Sequence, residues 1–156
     1  MKSITCCVTG HREIPEDKLT YVRYRIISEV QNAIEKGKTR FITGCAQGVD
    51  MIFAEAVLTL KKELHPEITL HAAVPFRAQY ERMLRDPAAR HMLDSCSSID
   101  IVSEEYHKGV YHIRNRFMVD RSSMIIGVFD GRYTGGTHYT LKYAQQAGID
   151  MKVIML

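Results

Sequence analysis

Apolar residues in this chain fall into short, nearly unbroken runs, separated by stretches in which they recur every three or four positions. The first run, residues 4–8, closes on Thr9-Gly10 and reads as a buried strand. Leu19, Val22, Ile26, Val30 and Ala33 then repeat at helical spacing until Gly37 stops the helix. Residues 40–43 form a second strand, the turn Gly44-Cys45-Ala46-Gln47-Gly48 follows, and a helix runs over about 49–62. Pro66 separates that helix from a third strand at 68–74.

Residues 79–84 predict a short helix, and Asp86-Pro87 reads as a cap followed by a first-turn proline, so a new helix starts there. A strand at 99–102, a helix at 112–121 and a strand at 124–129 come next, the last bounded by Asp130-Gly131. Gly135-Gly136 opens a final helix that ends at Gly148, and residues 152–155 make the last strand. Nearly continuous apolar strands alternating with helices predict an α/β fold: a Rossmann-like, doubly wound, mostly parallel sheet with helices on both faces. The first strand should be central, with Thr9, Thr43 and Asp130 near one edge. No repeat or linker interrupts residues 1–156, which read as one domain.

Composition narrows the function. Of 156 residues, 46% are hydrophobic and 25% charged, which excludes a disordered chain. The net charge of +3 comes from basic residues interspersed with acidic ones, which argues against nucleic acid as a partner. The densest basic stretch, residues 112–116, reads as a local anion site. No apolar run reaches the length of a membrane span and no secretory leader is visible, so the expectation is a cytoplasmic protein with no membrane insertion. Cys6, Cys7, Cys45 and Cys96 form no C-x-x-C pair, so no metal site is expected and the thiols should be free. Cys6 and Cys7 should point to opposite faces of their strand.

Ligands of open parallel sheets bind beyond the carboxyl ends of the strands, and three glycine-containing turns fall there. In Thr9-Gly10-His11-Arg12, Gly10 lets backbone approach a ligand and Arg12 can pair with a phosphate. An ordinary turn with a solvated arginine is the plain alternative. The turn from Thr43 and Gly44 to Gly48, Val49 and Asp50 aims a helix N-terminus at an anion, although it is neither a Walker A motif nor a G-x-G-x-x-G fingerprint. Asp50 can accept from ribose hydroxyls or simply offset the helix dipole, and Glu55 reads as solvated or salt-bridged. Cys45 precedes that helix but has no histidine placed to activate it, so it reads as a small structural residue. Gly135-Gly136-Thr137 suits close approach to a phosphate, or else is a flexible loop with Thr137 as cap. Arg114-Asn115 can reach a phosphate and a base or sugar edge, and Arg114→Ala should then weaken the ligand without disturbing the fold.

Taken in order, Thr9-Gly10-His11-Arg12 with Ile14-Pro15, residues 41–50, Arg114-Asn115, Asp120, Asp130-Gly131, Gly135-Gly136-Thr137 and Tyr143-Ala144 resemble the YpsA-like family. That family belongs to the SLOG superfamily, which includes the DNA-processing protein DprA and the cytokinin-activating LOG enzymes. The resemblance implies a Rossmann-like fold and a nucleotide-related ligand. LOG enzymes cleave nucleoside monophosphates with an Arg of an Arg-Lys pair and a Glu three residues after the loop threonine. Arg114 matches that Arg, Asn115 replaces the Lys, and Thr140 stands at the position of the Glu. Cys45 replaces the glycine usual in the family.

The sequence therefore favours a module that binds or senses a nucleotide or nucleotide-derived ligand. Thr9, Gly10, His11, Arg12, Gly44, Gly48, Gly135, Gly136 and Thr137 would shape the pocket. Arg114 and Asn115 would hold the phosphate end, and Asp50 the ribose. A LOG-like N-glycosidic hydrolase using Asp50 or Glu55 is the alternative, and DprA-like single-stranded nucleic-acid binding a third reading. No cofactor is implied beyond a bound nucleotide. A protein partner and homo-oligomerisation stay open.

Overall fold

The structure is a computed structural model and describes residues 1–156. Six strands, β1 (Thr5–Gly10), β2 (Arg40–Thr43), β3 (Thr69–Phe76), β4 (Ser98–Ser103), β5 (Met124–Phe129) and β6 (Asp150–Met155), form one sheet in the order β4-β3-β2-β1-β5-β6. Every pairing is parallel. The helices are α1 (Leu19–Glu35), α2 (Val49–Glu63), α3 (Arg77–Arg85), α4 (Pro87–Asp94), α5 (Val110–Asp120) and α6 (Gly136–Ala147). No helix is long and apolar enough to cross a membrane.

Side-chain alternation along each buried strand divides the core into two layers. Cys6, Val8, Phe41 and Ile126 pack with α1, α2, α3 and α4 on one face. Cys7, Ile42, Ala73 and Ile125 pack with Met118 and Val119 of α5 and Ala144 of α6 on the other. The adjacent cysteines thus serve opposite faces, as the pleat requires. Burial on both faces explains why the central strands read as continuous apolar runs.

Local chemistry fixes several ends. Asp86 Oδ2 accepts the N–H of Ala89 at 3.2 Å, with Pro87 at the start of α4. Gly148 closes α6 in the left-handed conformation at φ +74°. α3 and α5 each begin two residues earlier than predicted, and some strands outrun their predicted bounds through non-local pairing. β1 continues through Thr9 and Gly10 because they pair with Gly127 and Val128, and β3 reaches Phe76 by pairing with Ser103.

The strand order reverses direction at β1, which has β2 on one side and β5 on the other. This switch point opens a crevice between the loops that leave β1 and β5. Because all strands are parallel, Thr9, Thr43 and Asp130 share its edge.

Candidate functional site

Two of the three turns are built against each other. The N–H of Val49 donates to the His11 carbonyl at 3.3 Å. Gly48 has φ +76°, and a Cβ on it would lie 2.4 Å from the Arg12 carbonyl oxygen. A Cβ on Gly10 would lie 2.5 Å from Val49 Cβ. Side chains at 10 or 48 would therefore push the loop after β1 off the N-terminus of α2.

The β2–α2 turn is closed from within. Thr43 Oγ1 donates to the Asp50 carbonyl at 2.9 Å, and the Ala46 N–H donates to Asp50 Oδ2 at 3.1 Å. Gly44 lies between opposite charges: a Cβ there would be 2.7 Å from Asp50 Oδ2 and 3.2 Å from Arg114 Cζ. Asp50 is buried, and burial pushes its carboxyl above the usual carboxylate range while Arg114 and the Ala46 N–H pull it back.

Arg114 is buried too, not on a solvated helix face. Its Nη1 donates to the Gly44 carbonyl and its Nε to Asn115 Oδ1 at 2.8 Å. Burial lowers its pKa and Asp50 raises it again. The guanidinium ties α5 to the β2–α2 turn, so Arg114→Ala is expected to cost stability as well as weaken a phosphorylated ligand. Arg12, by contrast, is exposed and lies 4.7 Å from the centroid of the Tyr111 ring.

The third turn is held through His11. Its Nε2 accepts the backbone N–H of Asp130 at 3.1 Å, which fixes the neutral ring as the Nδ1–H tautomer. Its ring stacks on Phe129, and Phe129 on His138. Asp130 is clamped by Arg132, whose hydrogen bonds hold its carboxyl down to about 2. Beyond it α6 begins at Gly136 after Gly135, which has φ +99° and offers no side-chain cap. Thr137 is therefore a buried first-turn residue rather than the cap. The N–H groups of Gly136, Thr137 and His138 have no intrahelical acceptor.

These elements enclose a cavity of about 340 Å³ lined by Thr9, Gly10, His11, Arg12, Asp50 and Arg114, together with Asn115, Gly136 and Thr137. Gly44, Gly48 and Gly135 are outside the lining: Gly44 packs against Asp50 and Arg114, Gly48 against the backbone of His11 and Arg12, and Gly135 precedes the first residue of α6. Ala46 of the β2–α2 turn and His112 of the basic stretch also line it, as does Tyr111, which sequence reasoning missed. Tyr111 was traceable, since it stands one helical turn before Arg114 on the same face. Glu55 lies outside the cavity lining: it is exposed on α2 and pairs with Arg23 at 2.9 Å. Asp50 is the one carboxylate in the lining. Thr140 is buried and donates to the Gly136 carbonyl at 2.7 Å. Cys45 adopts φ +65°, the conformation that suits the family's glycine, and burial raises its thiol well above the ordinary range. No three His, Cys, Asp or Glu side chains gather to hold a metal ion.

A six-stranded, all-parallel sheet with a crevice at its switch point defines a Rossmann-like α/β protein. The family model described as the YspA SLOG family matches residues 6–155, and the chain belongs to that family. It is similar to the SPbeta prophage-derived protein YoqJ of Bacillus subtilis, with 31% identity over 78% of this chain and 79% of that one. It is also similar to the UPF0398 protein BH1768 of Halalkalibacterium halodurans, with 25% identity over 87% of this chain and 76% of the relative. Among solved structures, DNA processing protein A of Helicobacter pylori, described for its binding of single-stranded DNA, superposes with a TM-score of 0.69 at 17% identity. That match covers 97% of this chain and 65% of the DprA chain, and it shows the shared fold.

Proposed function

We propose that the chain binds a nucleotide or nucleotide-derived ligand in the switch-point cavity and acts as a sensor of it. The observation that carries this reading is a convergence: Arg12, Arg114 and the uncapped N-terminus of α6 meet at one cavity with a single acidic wall, Asp50. A phosphate fits against the first-turn N–H groups of α6, where the helix dipole favours negative charge. Arg114 spends two of its five N–H donors on Gly44 and Asn115 and keeps the rest for an anion. Asp50 uses Oδ2 on Ala46, so Oδ1 is the oxygen for a ribose hydroxyl. The cavity volume is of the order usual for small-molecule sites, about 300–1,000 Å³. Mass spectrometry of small molecules released from the purified protein, followed by calorimetry with each candidate, tests the reading. A phosphorylated nucleoside derivative is expected, and failure of every nucleotide to bind the protein in calorimetry would reject it.

A second reading rests on a neighbouring groove of about 330 Å³ between α5 and α6 that shares His112 and Asn115 with the cavity. Arg116 and Lys142 line it together with Tyr139 and Tyr143, and the Arg116 guanidinium lies 5.3 Å from the Tyr143 ring centroid. Cations interleaved with aromatic rings suit single-stranded nucleic acid, and net charge averaged over the chain does not register such a local grouping. Anisotropy of a labelled oligothymidylate decides it: salt-sensitive binding lost in Arg116→Ala supports the reading, and no binding at low salt removes it.

A further inference from the structure

Behind the Arg12–Tyr111 stack lies a second cavity, of about 450 Å³. The two cavities share Arg12, Ala46, Tyr111 and Arg114, so the stacked pair forms a bar between two adjoining chambers. Their linings differ in kind. Two of the twelve residues around the first chamber are hydrophobic, against six of the twelve around the second. In the second chamber Met51, Met83 and Ala89 supply an apolar wall, while Gln79, Arg82 and Asp86 stand at the edges. Gln79 makes one long hydrogen bond, to the Cys45 carbonyl at 3.4 Å, and Asp86 commits Oδ2 to capping α4. A flat heteroaromatic ring matches this arrangement: its faces meet thioether and methyl groups, and its edges meet donors and acceptors.

Building on the nucleotide reading of the first chamber, we propose that the second chamber is the subsite for the base. The site then takes a nucleoside monophosphate lengthwise. The phosphate lies at the start of α6, the ribose at Asp50, and the base passes the Arg12–Tyr111 bar to rest against Met51, Met83 and Ala89. Arg12, exposed and held by a ring face rather than by an ion pair, can swing aside to admit the base and close over it. The polar chamber holds the part all nucleotides share, and discrimination among them falls to residues of α3 and α4.

Calorimetry with AMP, GMP, CMP, UMP and ribose 5-phosphate tests this directly. At least one nucleotide should bind the wild type about tenfold or more tightly than ribose 5-phosphate, because only the nucleotide fills the second chamber. Equal affinity for all five overturns the base subsite while leaving the nucleotide-site reading standing; no binding by any of them overturns the monophosphate proposal, and failure of every other nucleotide as well rejects the reading it rests on. Gln79→Trp, which fills the second chamber from a half-buried position, should weaken the preferred nucleotide about tenfold and leave ribose 5-phosphate unchanged. The sugar phosphate is thus its own control for folding. Undiminished nucleotide binding by this variant places the base elsewhere and overturns the proposal. If both ligands weaken together, Met51→Ser decides: a loss confined to the nucleotide supports the subsite, and no such loss overturns it.

Discussion

Arg114, in the second turn of α5, donates through Nη1 to the carbonyl oxygen of Gly44, on the far side of the crevice. The bond makes the arginine a strut as well as an anion donor. Removing it strands a buried carbonyl and leaves the Asp50 carboxylate without its positive neighbour. Arg114→Ala is expected to lower stability by about 1–3 kcal/mol, read as a lower urea midpoint at unchanged m-value. Arg114→Lys keeps the charge but not the fork geometry, and should weaken phosphorylated ligands about tenfold or more with a smaller loss of stability. Unchanged stability of the alanine variant would show that the strut carries no energy.

Cys45 holds φ +65° while buried, a conformation that costs a side-chain-bearing residue about 1–2 kcal/mol. Cys45→Gly relieves that cost and gives up the packing of the sulfur, so its net effect should stay within about 1 kcal/mol. Cys45→Val adds a β-branch where the left-handed region tolerates it least, and should cost about 1–3 kcal/mol. Thermal melts of the two variants side by side check the order, and a valine variant as stable as the glycine one would contradict the backbone assignment.

His11 links the first and third turns only while its Nε2 is unprotonated. Burial lowers its pKa first; Asp130 raises it and Arg132 lowers it further. A depressed folded-state pKa means that the unfolded chain takes the proton first. The contribution is complete above the unfolded value, about 6.5, and is lost as pH falls through the lower folded value. Urea melts across about pH 5–8 should show stability falling on the acid side, and His11→Asn should remove part of that slope. An identical slope in the variant would show that His11 does not titrate against folding.

Much of the fold was legible because local signals agreed with it. The bounds of β2 and β5, the start of α2 and the Asp86-Pro87 cap of α4 follow from apolar runs and turn residues alone. The extensions of β1 and β3 were not, because they depend on partners far along the chain. At the site, the turns announced themselves through glycine, but side-chain roles did not. Arg114 has the sequence of a solvated helix face and is buried, while Glu55, read from sequence as solvated or salt-bridged but kept as a catalytic alternative, pairs with Arg23. Which side of a helix meets the crevice is set by packing, which the positions of Arg114 and Glu55 in the sequence do not record.

With Glu55 outside the cavity and Thr140 bonded to the Gly136 carbonyl, Asp50 is the carboxylate left to assist N-glycosidic cleavage. Its second oxygen is engaged by the Ala46 N–H, which suits holding a ribose better than moving a proton. AMP, GMP, CMP and UMP are therefore expected to bind without release of free base, since loss of general acid–base assistance alone removes about 10²–10⁴-fold in rate. Chromatography after prolonged incubation checks this. Rapid base release by the wild type, abolished in Asp50→Asn with binding retained, would make the protein a hydrolase instead of a sensor.

Backbone amide chemical shifts, followed by NMR as the tightest-binding nucleoside monophosphate is added, test the location of the ligand most directly. The N–H groups of Gly136, Thr137 and His138 start without helical acceptors and should move most, with Gly10, Arg12 and Ala46 moving alongside them. Shifts confined to the α5–α6 groove around Arg116, Lys142 and Tyr143, or none at saturating ligand, would contradict a nucleotide site at the switch point between β1 and β5.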